Sequence, residues 1–276
     1  MPSVSFPCPC GLDVTRTTRT LPTDGAIEPL VSALDGRRGA LFASSYEFPG
    51  RYTRWDLGFV DPPLVLEAKG REFTLSALNE RGALLLEAFH PSLRLTCVEL
   101  DAARGGALRG RVLPSTEVFT EEERSRQPSL FSLLRSLLAA VASPEDSLLG
   151  WYGAFGYDLA FQFEPIRQRL PREASQRDLV LYFPDELVIV DHQRQLATRV
   201  QYDFALRGRS TVALPRAGTV EPFVGPHEPR LTRDHRDGEY ADCVRQALGA
   251  FARGDLFETV PRSEEHTSEL QSHHPI

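Results

Sequence analysis

The chain has 276 residues, a formal net charge of −7, 41% apolar and 25% charged residues. That balance suits a globular chain of one large or two modest domains, and the acidic surplus argues against a nucleic-acid partner. No apolar run is long enough to span a bilayer, and the N-terminus lacks a basic patch followed by an apolar stretch, so no membrane partner and a cytoplasmic setting are expected.

In chain order, residues 1–10 show no periodicity and are expected to be loose. Ile27, Leu30, Val31 and Leu34 stand at helical spacing before Gly36, and "GALFASS" then reads as a short buried strand. Apolar runs around Val65, Phe73 and Leu85 are divided by Lys69-Gly70 and by Asn79 to Gly82, which reads as a β-meander. Leu93, Leu95 and Cys97 alternate and predict a further strand.

"PSLFSLLRSLLAAVASPED" is the clearest helix, opened by Pro128 and Ser129, with Leu130, Leu133, Leu134, Leu137, Leu138 and Val141 on one face. "DLVLYFPDELVIVDHQRQLATRVQYDF" predicts three strands, broken at Pro184-Asp185 and turned at Asp191 to Arg194. Residues 207–232 read as a loop or linker. An amphipathic helix follows through Tyr240, Cys243, Val244, Ala247, Leu248 and Phe251, capped at Gly254, and "DLFETV" reads as a strand. Meanders and separate helices without regular βαβ alternation predict an α+β fold.

The C-terminal stretch changes style. Lys69 is the sole lysine among 31 basic residues, yet "SEEHTSELQSHHPI" contains no arginine, glycine, alanine or valine. It resembles translated adapter sequence foreign to the rest, and residues 262–276 are set apart from the fold on that ground.

Few residues announce chemistry. Cys8 and Cys10 form a C-x-C pair, but Cys97 and Cys243 supply no second pair, so reduced thiols rather than a zinc site are expected. His90, His192, His227 and His235 each sit in or beside a turn and are expected to be solvated rather than catalytic. "GWYGAFGYD" lacks the Lys-Ser/Thr of a phosphate loop. Its glycines are expected to allow close strand approach, with Trp151, Phe155 and Tyr157 filling a core.

"LFASSYEFPGRYTRWD", residues 41–56, is the exception. A free aromatic amino acid needs a cation for its carboxylate, which Arg51 or Arg54 could supply. Its ammonium needs an acceptor, which Glu47, Ser44 or Ser45 could supply, and its ring needs an apolar slot. Loops of arginine and aromatic residues also make purely structural stacks, and these residues alone leave both readings open.

Four segments, taken in order, resemble component I of anthranilate synthase: "ALFASSYEFPGRYTRWDLGFVDPP", "GWYGAFGYDLAFQFEP", "LYFPDELVIVDH" and "GEYADCVRQALGAFARGDLFETVP". "YEFPGRYTRWD" and "YGAFGYDLAFQFE" resemble the long bacterial type, in which component I is fused to its glutaminase. The resemblance covers residues 11–261. It implies an incomplete chorismate-utilising enzyme fold, α+β with mixed antiparallel sheets and packed helices. Residues 11–232 would be the regulatory portion that binds L-tryptophan, and residues 233–261 the start of the chorismate-binding domain.

The resemblance also implies an activity for the complete enzyme. It would turn chorismate and glutamine-derived ammonia into anthranilate and pyruvate with Mg²⁺, under L-tryptophan feedback, beside a glutaminase domain or subunit. The family's Leu-Leu-Glu-Ser-Ser motif corresponds here to Leu41-Phe42-Ala43-Ser44-Ser45, with Ala43 in place of the glutamate. By that correspondence Ser44 matches the serine that contacts tryptophan, Ser45 follows it, and Arg54 falls where a basic residue stands. Glu47 and Arg51 are further pocket candidates. No catalytic or metal-binding residue is assigned, because the family's catalytic region follows the "GDLFETVP" segment, so the chain alone is expected to be inactive and to bind no metal. Two alternatives stand beside this reading: component I of an aminodeoxychorismate synthase, and a non-catalytic amino-acid-binding module.

Overall fold

A computed structural model describes residues 2–43, 54–102, 105–115, 119–120, 122–164, 172, 175–218 and 236–259. They fall into two compact units, residues 1–223 and 224–276.

In the first unit, β1 (Ser3–Pro7), β2 (Asp13–Leu21), α1 (Glu28–Leu34), β3 (Gly39–Ala43) and β4 (Trp55–Val60) come first. β5 (Leu64–Lys69), β6 (Glu72–Ala77), α2 (Glu80–Phe89), β7 (Val98–Leu100), β8 (Ala107–Val112) and α3 (Leu130–Val141) follow. β9 (Tyr152–Phe155), β10 (Leu179–Phe183), β11 (Glu186–Asp191), β12 (Leu196–Leu206) and the two-residue β13 (Arg209–Ser210) complete it. The strands form two sheets, ordered β1-β2-β12-β11-β4-β3 and β7-β8-β6-β5-β10-β9, with β13 on β12. Every described pairing is antiparallel. Mixed helices and antiparallel sheets make this the α+β fold the sequence predicts.

The two sheets share a corner. β4 runs into β5 through Asp61, and β10 into β11 through Pro184 and Asp185, so neighbouring strands of one sheet become neighbouring strands of the other. Asp61 turns there with φ 50°, in the left-handed region. One hydrophobic core spans both sheets together with α2 and α3. Phe183 lies at its centre, with ring centroids 5.1 Å from Phe89, 5.2 Å from Trp151 and 6.0 Å from Phe204.

Several expectations need correction. Residues 1–10 are not loose throughout, because β1 pairs with β2 and Phe6 is buried. That pairing depends on a partner strand, which local periodicity cannot reveal. The run around Leu85 is helix rather than the third strand of a meander. Asn79 accepts a hydrogen bond from the Gly82 N–H at 3.0 Å, an N-cap that starts α2, and Leu85, Ala88 and Phe89 then share its buried face. Residues 90–93 make a 3₁₀ turn, and the strand expected at Leu93 begins only at Val98. β3 lies on a sheet edge with Phe42 exposed instead of being buried. Residues 209–210 pair with β12 inside the expected linker.

Around the glycine-aromatic segment the result divides. A Cβ on Gly153 would lie 2.0 Å from the Val180 carbonyl oxygen, so glycine does permit close approach of β9 to β10. Trp151 packs against the core, but Phe155 is 56% and Tyr157 85% exposed, so neither of these two fills it.

In the second unit the expected helix is present as α4 (Glu239–Arg253). Gly254, at φ 78°, donates to the carbonyls of Ala250 and Phe251 and ends it. Residues 255–259 form no strand. Residues 260–276, which include the tail at 262–276, lie outside the described residues.

Candidate functional site

The β3–β4 hairpin fixes where the 41–56 stretch emerges. Ala43 pairs with Asp56, so the two ends of the intervening segment leave from adjacent strands at one edge of the first sheet. Ser44, Ser45, Glu47 and Arg51 lie outside the described residues. Arg54 is described, and it enters β4 beside the far end of β11.

Three short-range relationships hold Arg54, and a fourth contact lies beside them. Its carbonyl accepts the His192 backbone N–H at 2.8 Å. Its guanidinium carbon lies 4.7 Å from the centre of the Trp55 ring, a cation–π distance. Its Nη2 stands 3.6 Å from Asp191 Oδ2. Its neighbour's neighbour, Asp56, meets His192 Nε2 at 2.7 Å. His192 is therefore paired rather than simply solvated. Local sequence gave no sign of this, because its partner lies in another strand.

Asp191 is the buried member of the group, with 4% of its side chain exposed. Its Oδ1 accepts the N–H groups of Gln193 and Arg194 at 3.0 and 3.1 Å, which closes the turn from β11 to β12. Oδ2 faces two guanidinium groups, Arg54 at 3.6 Å and Arg194 Nε at 3.9 Å, and accepts no hydrogen bond among the described residues. Arg54 keeps 41% of its side chain exposed, and its Nε makes no hydrogen bond among the described residues. A half-exposed guanidinium beside an exposed indole can receive a carboxylate and cover an apolar ring.

Elsewhere the buried charges are structural. Arg81, 1% exposed, binds Asp185, Asp203 and the carbonyls of Tyr202, Thr211 and Leu214, tying α2 to β12 and the chain beyond it. Burial pushes the Asp185 carboxyl up from its ordinary range, against the opposing pull of Arg81 and Arg216. All four cysteines are free. Burial also pushes the Cys8 thiol up to about 12. Among the described residues no three His, Cys, Asp or Glu side chains converge to hold a metal ion. No described helix is long and apolar enough to cross a membrane.

No family model matches the chain. Individual proteins do. It is 47% identical over 255 residues to "Anthranilate synthase" of Azospirillum brasilense, covering 91% of this chain and 34% of that protein. The relatives are anthranilate synthases. "Anthranilate synthase component 1" of Vibrio cholerae is 27% identical over 241 residues, and that of Escherichia coli 27% over 243, each covering 82% of this chain and 45% of the relative. The chain thus spans between a third and a half of the length of the anthranilate synthases it matches.

Proposed function

We propose that this chain is the N-terminal portion of an anthranilate synthase component I and carries part of its L-tryptophan feedback site. The observation that carries the reading is the 47% identity extending over 91% of the chain to a protein of that name. The geometry adds to it: Arg54, half-exposed and stacked on Trp55, stands where the hairpin carrying Ser44 and Ser45 returns to the sheet.

In the complete enzyme the reaction is the formation of anthranilate and pyruvate from chorismate and ammonia, with Mg²⁺ and a glutaminase domain or subunit delivering the ammonia. That is the first committed step of L-tryptophan biosynthesis, in the cytoplasm, and L-tryptophan feeds back on it. In this chain Ser44, Ser45 and Arg54 contribute to the tryptophan site, with Glu47 and Arg51 as further pocket residues. Chorismate chemistry belongs to the part of the relatives that this chain does not span.

Two measurements on the purified 276-residue protein test the reading. Isothermal titration should show saturable binding of L-tryptophan with no comparable signal for L-leucine. Incubation with chorismate, ammonia and Mg²⁺ should produce no anthranilate fluorescence. Absence of tryptophan binding refutes the regulatory assignment, and anthranilate production refutes the division of labour.

A further inference from the structure

We infer that Asp191 is a positioning residue for Arg54, holding its guanidinium ready for the carboxylate of an α-amino acid; this rests on the amino-acid-binding reading above. A flexible arginine at a strand end loses rotamer freedom when it clamps a ligand, unless something has already fixed it. Asp191 can fix it without using it up. The 3.6 Å separation from Arg54 Nη2 is an ion-pair distance but too long for a hydrogen bond, so Asp191 does not itself use up a guanidinium N–H group. The carboxylate itself cannot wander, since its Oδ1 is tied to two backbone N–H groups of the β11–β12 turn.

Charge favours an anion at the same place. Arg54 and Arg194 both approach Asp191 Oδ2, so two cations face one carboxylate. Among the described residues the acid two positions on, Asp56, is engaged by His192. The His192 backbone N–H meanwhile pins the Arg54 carbonyl, which fixes the main chain from which the guanidinium projects. Arg54 is thus held through its carbonyl, by stacking on Trp55 and by Asp191, while part of its side chain faces solvent.

The test is a double-mutant cycle read by isothermal titration with two ligands, L-tryptophan and tryptamine, which lacks the carboxylate. The variants are Arg54→Gln, Asp191→Asn and the two combined. Asparagine can retain the Oδ1 acceptor that closes the turn, while the charged Oδ2 that faces the two guanidinium groups becomes an uncharged amide NH2. Arg54→Gln should weaken L-tryptophan by about 10-fold or more and leave tryptamine within about twofold. Asp191→Asn should weaken L-tryptophan by about 3- to 10-fold, again sparing tryptamine. The combined variant should be no weaker than Arg54→Gln alone, as expected for a residue that acts through Arg54.

Unchanged or tighter L-tryptophan binding in Asp191→Asn, with Arg54→Gln still defective, overturns the positioning role and leaves the site reading standing. Equal losses for both ligands, or a loss that adds to that of Arg54→Gln, make Asp191 a structural residue only. A wild-type protein that binds no L-tryptophan overturns the reading and this inference together.

Discussion

His192 Nε2 and Asp56 Oδ2 meet at 2.7 Å across the β4–β11 pair, although the residues stand 136 positions apart in the chain. The pair is partly exposed, with 38% of the histidine and 16% of the aspartate side chain open to solvent. An interaction of that kind is screened and contributes little, so Asp56→Asn should lower the unfolding free energy by about 0.5–1 kcal/mol in urea titrations at low salt. The same measurement in about 1 M sodium chloride should show a smaller difference. A salt-independent loss of several kcal/mol would mean that Asp56 does more than pair with the imidazole.

Gly153 carries a sharper cost. Its missing side chain is the space occupied by the Val180 carbonyl, 2.0 Å from where a Cβ would lie. Gly153→Ala must push β9 away from β10, and β9 is an edge strand with one neighbour, Tyr152 against Tyr182 and Ala154 against Val180. The expected loss is about 1–3 kcal/mol in urea unfolding, with increased amide exchange confined first to β9. Unaltered exchange there would show that the sheet absorbs the methyl group without parting.

Arg81 should be the most damaging single truncation in the polar interior. It is almost wholly buried and serves two carboxylates and three backbone carbonyls. Arg81→Ala strips Asp185 of one of its two described arginine partners, the other being Arg216, and leaves the carbonyls without that donor. Breaking such a buried pair costs about 3–5 kcal/mol. Arg81→Met, which retains much of the stem's packing, should recover only a small part of it in the same unfolding assay.

What could be read in the sequence follows from how local each signal is. α3 was legible because six apolar residues from Leu130 to Val141 repeat at helical spacing, and β10, β11 and β12 because their apolar runs are bounded by Pro184-Asp185 and by the turn after Asp191. α2 was misread because Leu84-Leu85-Leu86 is apolar without interruption, which fits a buried strand as well as a helix; the Asn79 cap decides it. β1 was missed because, among the described residues, its strand partner is β2 alone. At the candidate site the loop's composition singles out Arg54, whose binding role is the proposal above. It does not point to Asp191 and His192, since only the pairing of β11 with β4 brings them there.

Alkaline pH should expose the buried thiol. Cys8 is 6% exposed, and burial first, then the charge of neighbouring groups led by Cys10 and Asp146, raise its pKa from 9.0 to about 12. A group that ionises later in the folded than in the unfolded chain keeps its full stabilising contribution below the unfolded value. That contribution is lost as pH rises from about 9 toward about 12, because the unfolded state releases its proton first. Tyr152, raised from 10.0 to about 12 by burial and by Asp146, should add a second loss that starts about one pH unit higher. Urea midpoints measured from pH 8 to pH 11 should therefore fall, with Cys8→Ala reducing the part that begins near pH 9, which the raised Cys10 shares, and Tyr152→Phe reducing the part that begins near pH 10, which the raised Tyr182 and Tyr202 share. If Cys8→Ala leaves the slope between pH 9 and pH 10 as it was, the thiol ionises in the folded protein as readily as in the unfolded chain, and its burial has no bearing on alkaline stability.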